Sequence, residues 1–288
     1  MSQAHGGYYV PHQSHWPIVG SIGMFVLLAG FASLLNGTDI GSTLMVVGAV
    51  ITLLMMVGWF GTVIRENQQG YYNDQVDMSF RWGMGWFIFS EVMFFAAFFG
   101  ALFYARVLSG PWLAGAAPEE WTHRLLWEGF TYSWPTNGPG NIGGEYEAMG
   151  AWGLPALNTL ILLSSGVTVT VAHWGIKQQH RLKTIGGLFA TVVLGALFVV
   201  LQGFEYYEAY KHMNLTLGTG IYGSTFFMLT GFHGLHVTIG AIILLVMLFR
   251  AIAGHFTPDN HFAFEAAAWY WHFVDVVWLG LFIFVYWL

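Results

Sequence analysis

Cysteine is absent from this 288-residue sequence, and charged residues are scarce. The missing thiols exclude disulfide bonds, iron–sulfur clusters and thiolate metal sites. Charged residues make up 8% of the chain and hydrophobic residues 56%, whereas soluble domains carry about 25% charged residues. So few charges cannot cover a soluble globule, and the net charge of −6 argues against nucleic-acid binding. The composition therefore excludes a soluble enzyme, a disordered chain and a nucleic-acid reader, and it indicates an integral membrane protein.

Proline is missing from the interior of the long apolar stretches. Seven stretches are long enough to cross a hydrocarbon core of about 30 Å, and the eight prolines fall outside them or at their start. Their approximate ranges are 18–35, 41–64, 82–105, 155–176, 184–204, 220–249 and 266–288. Because these runs lack the alternating polar positions of barrel strands, we predict an all-α membrane protein with seven transmembrane helices. Residues 1–288 form one domain in this prediction, and unbroken helices disfavour a transporter built on discontinuous ones.

The basic residues predict how the chain is oriented. With residues 1–17 as a cytoplasmic tail, the inner loops carry six of the nine Lys and Arg residues, and the outer loops carry three. The inner set is Arg65, Arg81, Lys177, Arg181, Lys183 and Arg250, and the outer set is Arg106, Arg124 and Lys211. This excess predicts a cytoplasmic N-terminus and a C-terminus on the outer side. Since no basic segment and no early apolar run precede the first span, we expect no cleavable signal peptide.

One sizeable segment lies outside the predicted spans, at about residues 106–153. It is acidic and rich in tryptophan, and Pro118-Glu119-Glu120 within it is typical of a helix start. The segment is predicted to be either a lid on the membrane interface or a docking surface for another subunit, because tryptophan is enriched in both settings.

An acidic residue, Glu91, lies inside the third span. It is ten residues beyond Arg81, which places it near the membrane midplane at about 1.5 Å per residue. A carboxyl group there is costly, so we interpret Glu91 as a functional residue that burial keeps protonated. The alternative is a neutral acid that is merely hydrogen-bonded between helices. Glu205 and Glu208, near the outer end of the fifth span, are interpreted as interfacial, capping or partner-facing groups.

The histidines of the spans predict structural roles. His233 and His236 share one helical face, so they cannot both be axial ligands of one haem. No Glu-x-x-His pair of the di-iron type is present. His173, His233 and His236 are therefore expected to make interhelical hydrogen bonds, and His272 and Asp275, three residues apart, to form a structural pair. We predict that the chain binds no metal.

Basic and aromatic residues mark the predicted cytoplasmic side. Trp59, Arg65, Glu66 and Arg81 bracket the cytoplasmic mouth between spans two and three, and Arg250 and His255 follow span six. They form either a site for lipid head groups or ordinary interfacial anchors. On these residues alone, three classes stay open: an accessory subunit of a membrane complex, a proton-linked transporter and a haem-bearing redox subunit.

Several motifs resemble those of one family. Residues 264–278, with Trp271-His272-Phe273-Val274-Asp275, and residues 222–237, with His233-Gly234-Leu235-His236, closely resemble the last two helices of cytochrome c oxidase subunit III. Further matching segments are 15–17, 63–66, 90–95, 158–173 and 205–209. The resemblance covers nearly the whole chain in the family's order.

The resemblance implies a non-catalytic subunit of a proton-pumping complex that passes electrons from cytochrome c to oxygen. Haem and copper would lie in partner subunits I and II, and this chain would bind structural phospholipids, stabilise subunit I and support proton uptake. Helices 1–2 (residues 18–64) would be splayed from helices 3–7 (residues 82–288) around a lipid cleft. Glu91 would be the buried cleft acid, and the lipid positions would be Trp59, Arg65, Glu66, Arg81 and Arg250.

The resemblance also bears on location and alternatives. The long 106–153 loop points to a bacterial plasma membrane, with the C-terminus in the periplasm. A quinol oxidase subunit is the alternative within the family, and a proton-linked transporter the alternative outside it. The tail residues His5, His12 and His15 would lie on the side of proton uptake, where they are either a proton-collecting cluster or part of a merely solvated tail.

Overall fold

The computed structural model describes residues 13–116 and 121–288, and every regular element within these ranges is a helix. The α-helices are α1 (Trp16–Leu35), α2 (Ile40–Gln68), α3 (Asp74–Phe103), α4 (Gly110–Leu113), α5 (Trp121–Leu126), α6 (Leu154–Lys177), α7 (Arg181–His212), α8 (Gly220–Ile252) and α9 (Phe262–Leu281). Two π-helical turns, Tyr104–Ser109 and Phe282–Trp287, continue α3 and α9. Seven helical stretches are long and apolar enough to cross a membrane, which confirms the predicted all-α fold for the described residues. The predicted helix start at 118–120 lies outside the described residues.

Several spans are longer than the sequence predicts. Helix α3 begins eight residues before the predicted start at 82, α7 continues eight residues beyond 204, and α9 begins at Phe262 and not at 266. Hydropathy detects the part of a helix that lies in hydrocarbon, whereas polar turns outside it can remain helical. Asp74 and Asp77 in the first turn of α3 favour such a turn through the helix dipole.

The third span contains a proline that the sequence analysis places in a loop. The helix runs from α3 through Tyr104–Ser109 into α4, and Pro111 stands in the first turn of α4. The prediction that all prolines lie outside the spans or at their start is therefore wrong at Pro111. Proline lacks the N–H that a regular α-helix would use there, and the preceding π-helical turns already change the hydrogen-bond pattern.

The chain divides into two compact units, Met1–Trp82 and Gly83–Leu288. In the first unit, α1 and α2 pack as an antiparallel hairpin through small residues. A Cβ atom added to Gly30 would lie 2.8 Å from the carbonyl carbon of Leu44, and one added to Gly23 would lie 2.7 Å from Thr52 Oγ1. Glycine thus allows the two backbones to approach closely, as helix packing in lipid favours.

The core of the second unit is built around two fully buried tryptophans of α9. Trp271 Nε1 donates a hydrogen bond to Ser165 Oγ at 2.8 Å, and Trp278 Nε1 donates one to Thr159 Oγ1 at 2.9 Å. Both hydroxyl groups belong to α6, so each indole fills the core while its N–H stays satisfied. These bonds fix how α9 is rotated against α6.

The segment between α5 and α6 is hydrogen-bonded to the ends of several helices of the second unit. Tyr132 OH donates to Arg106 O at 2.5 Å, and the backbone N–H of Glu147 donates to Met213 O at 2.9 Å. The side chain of Asn214 donates to Glu145 O at 2.7 Å. The described part of this segment therefore covers the end of its own unit, whereas its role in docking another subunit stays a prediction.

Candidate functional site

Glu91 of α3 is joined to His236 of α8. Glu91 Oε2 lies 2.8 Å from His236 Nε2, and both side chains are mostly buried. The rings of Phe94 and Phe95 lie 5.8 and 5.0 Å from the imidazole. The structure thus brings together two residues that the sequence analysis treated separately, one as a functional acid and the other as a structural histidine.

The surroundings of His236 limit where its protons can be. Its Nδ1 lies 2.6 Å from Phe232 O, and because a carbonyl oxygen only accepts, Nδ1 must carry a proton. The other nitrogen either accepts a hydrogen bond from a protonated Glu91 or carries a second proton and donates to a carboxylate. The pair therefore shares one proton along the Oε2–Nε2 contact, and a protonated Glu91, as predicted, would be the donor.

His233 and Asp275 make contacts that fit their predicted structural roles. His233 is fully buried and its Nε2 lies 3.2 Å from Val274 O. His272 Nδ1 lies 3.5 Å from Asp275 Oδ2, and His272 Nε2 lies 3.3 Å from Thr170 Oγ1. The imidazole of His272 is 47% exposed and stands on the surface of the second unit, whereas Asp275 is buried beside it.

Two residues that the sequence analysis did not single out join His173. His173 Nε2 lies 3.3 Å from His261 Nε2 and 3.4 Å from Glu265 Oε1, and His261 Nε2 lies 3.2 Å from that same oxygen. Within the described residues, these three side chains form the one His and carboxylate group whose spacing could hold a metal ion. The i, i+4 spacing of His261 and Glu265 at the start of the last span was the signal that could have revealed them.

Glu205 is buried within the chain, contrary to the sequence-based interpretation as an interfacial, capping or partner-facing group. It is 1% exposed and accepts a hydrogen bond of 2.7 Å from Tyr286 OH. Its position in the last turns of α7 suggested that its side chain is exposed to water. The π-helical turn that follows α9 places Tyr286 against it, so a distant part of the chain covers this helix end.

The basic residues of the first unit are already engaged locally. Arg81 Nε lies 2.7 Å from Asp77 Oδ2, one turn earlier in α3. Glu66 Oε2 accepts a hydrogen bond of 2.7 Å from Tyr72 OH, and Arg65 Nε donates to Gly61 O at 3.4 Å. Trp59 is exposed on α2. These contacts leave the lipid role of the four predicted residues Trp59, Arg65, Glu66 and Arg81 a prediction.

Arg250 belongs to the second unit and is buried. Its guanidinium carbon lies 4.8 Å from the centre of the Phe256 ring, a cation–π distance. Its Nε has no hydrogen-bond partner among the described residues. His255, predicted beside it, is half-buried in the turn that follows α8.

Only one of the three tail histidines can be located. His5 and His12 lie outside the described residues. His15 is exposed just before α1, with its ring 4.3 Å from that of Trp16. The Trp16 indole donates to Thr62 Oγ1 at 3.1 Å, which ties the start of α1 to α2.

Comparison with known proteins agrees with the resemblance seen in the motifs. The profile of the family described as cytochrome c oxidase subunit III matches residues 6–120 and 132–288. Cytochrome c oxidase subunit 3 of Oncorhynchus masou is 43% identical over 286 residues, which are 99% of this chain and 98% of the relative. The Drosophila melanogaster subunit 3 is 43% identical over 281 residues, 97% of this chain and 96% of the relative.

These matches favour neither a transporter nor a quinol oxidase subunit. They also agree with the seven membrane-spanning helices, which make the chain a multi-pass membrane protein. The chain belongs to the cytochrome c oxidase subunit III family and is a non-catalytic subunit of that oxidoreductase complex of the respiratory chain.

Proposed function

We propose that this chain is the core subunit III of a proton-pumping oxidase that passes electrons from cytochrome c to oxygen. Subunits I and II would hold the haem and copper, and this chain would stabilise subunit I, hold phospholipids and support proton uptake. It would lie in a bacterial plasma membrane with its N-terminus in the cytoplasm and its C-terminus in the periplasm.

The observation that carries the proposal is a polar patch on the outer face of α6 and α9, formed by Thr170, His272 and Asp275. The half-exposed imidazole lies beside apolar side chains that face outward, among them Val167 and Val276. Both ring nitrogens contact Thr170 and Asp275, but a half-exposed imidazole beside a carboxylate is still costly against lipid tails, which solvate polar groups poorly. A protein surface can cover this patch with polar groups of its own, which favours a partner subunit there.

Site-directed photo-crosslinking of the assembled complex tests this proposal. A photoreactive residue at Val276 should link this chain to subunit I. The matched control is Val200 of α7, which has the same exposed fraction of 67%. Mass spectrometry identifies the linked chain, and the haems that co-purify identify the type of oxidase. Lipid adducts alone at Val276 would contradict a subunit contact there.

The lipid role would belong to arginines in both units. Arg65 and Arg81 of the first unit, and Arg250 of the second, would each attract an anionic head group at the cytoplasmic membrane surface. The support for Arg250 is the guanidinium Nε that has no partner among the described residues. A lipid phosphate would satisfy that N–H.

A further part of the proposal is proton collection by His5, His12 and His15. Histidine exchanges protons near pH 6.5, and these residues would lie on the side of proton uptake. The exposure of His15 at the start of α1 agrees with such a role. The alternative is a solvated tail with no part in turnover.

A further inference from the structure

We propose that His173, His261 and Glu265 bind a divalent transition-metal ion, and that zinc is the ion they fit best. Such a site would be separate from the haem and copper of the oxidase, and it would hold a metal without redox activity. It contradicts the sequence-based prediction that the chain binds no metal. That prediction considered the histidines of the spans, and His261 and Glu265 were not among its candidates.

The distances between the three ligand atoms match one face of a tetrahedron. His173 Nε2, His261 Nε2 and Glu265 Oε1 are separated by 3.3, 3.4 and 3.2 Å. Zinc binds histidine nitrogen and carboxylate oxygen at about 2.0–2.2 Å in tetrahedral sites, which places neighbouring ligand atoms roughly 3.3–3.5 Å apart. The three side chains therefore need little movement to bind such an ion.

A contact behind His261 orients its ring for metal binding. His261 Nδ1 lies 3.0 Å from Thr257 O, in the turn before α9. Because the carbonyl only accepts, Nδ1 carries the proton, and Nε2 of the neutral ring has its lone pair directed toward the cluster. Metal-binding histidines commonly donate their other N–H to such a carbonyl, which fixes the tautomer.

A lone pair of the Glu265 carboxylate faces the lone pair of His261 Nε2. Glu265 Oε1, as a carboxylate oxygen, is an acceptor and lies 3.2 Å from His261 Nε2. Two acceptors at this distance need a proton or a cation between them. His173 Nε2 lies within 3.4 Å of both of these atoms. One metal ion could therefore coordinate all three atoms, whereas one proton bridges a single pair.

Burial and charge also fit a metal site with one open position. The exposed fractions are 22% for the His173 side chain, 14% for Glu265 and 8% for His261, so solvent can supply a fourth ligand. Two histidines and one carboxylate with an open position are a known zinc ligand set, and these ligand types suit zinc. Lys177, one turn beyond His173, is a nearby cation, and its exposed side chain can extend into water.

The ion would connect three segments of the second unit. His173 lies in the last turns of α6, His261 directly precedes α9, and Glu265 stands in the first turn of α9. The ring of Phe264, fully buried, lies 5.6 Å from that of His173 and holds the same helix ends together from the inside. The metal would thus fasten the start of α9 to the end of α6.

Zinc binding to the purified, assembled oxidase tests the proposal. The complex is treated with a chelator, mixed with Zn²⁺ and desalted. Inductively coupled plasma mass spectrometry then gives the zinc content per copy of this chain. We expect one zinc per chain that is lost in His261→Ala and held at least about tenfold more weakly in Glu265→Gln. The control His212→Ala, an exposed histidine at the end of α7, should retain the zinc.

The difference in zinc content between each variant and the wild type decides the test, because any zinc in partner subunits would be present in all samples. Equal zinc content in wild type, His261→Ala and Glu265→Gln would overturn the proposal. Glu265→Gln keeps the size of the side chain, so it tests the site even where His261→Ala fails to assemble. The X-ray absorption difference spectrum at the zinc edge, wild type minus Glu265→Gln, should show two imidazoles and only N and O ligands, and a difference spectrum without imidazole would also overturn the proposal.

Discussion

The carboxyl group of Glu91 and the imidazole of His236 share one proton across 2.8 Å, although the two residues are 145 positions apart in the chain. The hydrogen bond from His236 Nδ1 to Phe232 O fixes the tautomer, so Glu91 is either the donor of a neutral pair or the acceptor of an ion pair. The hydrogen bond between Glu91 and His236 can hold α3 and α8 in a fixed register. It is a poor relay for pumped protons, because ionising it alone inside the membrane costs several kcal/mol.

We therefore expect Glu91→Gln to leave the oxidase assembled and pumping. The amide can still donate to His236 Nε2, so the interhelical hydrogen bond survives. Glu91→Ala removes it and leaves a buried nitrogen without its partner, which should lower the free energy of unfolding by about 1–3 kcal/mol. Oxygen consumption, the pumped proton ratio and the melting temperature of the complex measure these effects. A loss of pumping in a fully assembled Glu91→Gln complex would contradict this interpretation.

Two glycine-to-alanine substitutions should distinguish the effect of close packing on stability from the effect of helix propensity. A Cβ atom at Gly240 of α8 would lie 2.8 Å from Trp271 Cε3, whereas a Cβ at Gly186 of α7 meets no described atom within 4 Å. We expect Gly240→Ala to destabilise the complex by roughly 1–3 kcal/mol through overpacking. Gly186→Ala, the control, should be neutral or slightly stabilising because alanine favours helix. Melting temperatures of the two variants test the contrast, and equal values would argue against close packing at Trp271.

Tyrosines of the loop between α5 and α6 should make the free energy of unfolding decrease at high pH. Burial raises the pKa of Tyr146 above its ordinary value of 10.0. Burial also raises the pKa of Tyr132, against the opposing effect of Arg106. The unfolded chain releases these protons first, so stability is complete below about pH 10 and declines as the pH rises through the raised values. The melting temperature between pH 8 and 11 should fall less steeply in Tyr146→Phe than in the wild type, and an unchanged slope would contradict this prediction.

Arginine substitutions should change lipid retention without preventing assembly. Arg81→Ala and Arg250→Ala should each lower the number of phospholipids that stay bound through purification, because each head-group contact contributes about 1 kcal/mol. Arg124→Ala, in the segment between α3 and α6, serves as the control and should retain the wild-type lipids. Native mass spectrometry counts the bound lipids. Equal counts in all three variants would favour ordinary interfacial anchors.

Removing the three tail histidines tests proton collection. Replacement of His5, His12 and His15 by asparagine should slow oxygen consumption most at high pH, where bulk protons are scarce and histidine could supply them. The ratio of mutant to wild-type turnover is measured from pH 6 to pH 10. A ratio that stays at one across this range would leave the histidines as parts of a solvated tail.

The number and approximate position of the membrane spans could be read from the sequence, because hydrophobic length is a local property that needs no partner. The same holds for the family, since its motifs are contiguous segments such as 264–278. The helix ends were harder to predict. Residues 74–81 at the start of α3 and the end of α7 near His212 remain helical outside the apolar stretch, and hydropathy does not detect them.

Only the tertiary structure decided which polar groups meet. Glu91 finds His236, Glu205 finds Tyr286, and His173 finds the pair His261 and Glu265. Each contact depends on how two helices are rotated and shifted against each other, and that register is determined by packing, such as Trp271 and Trp278 against the hydroxyl groups of α6. Helical periodicity places a side chain on a face of its own helix, but it does not specify the distant helix that this face contacts.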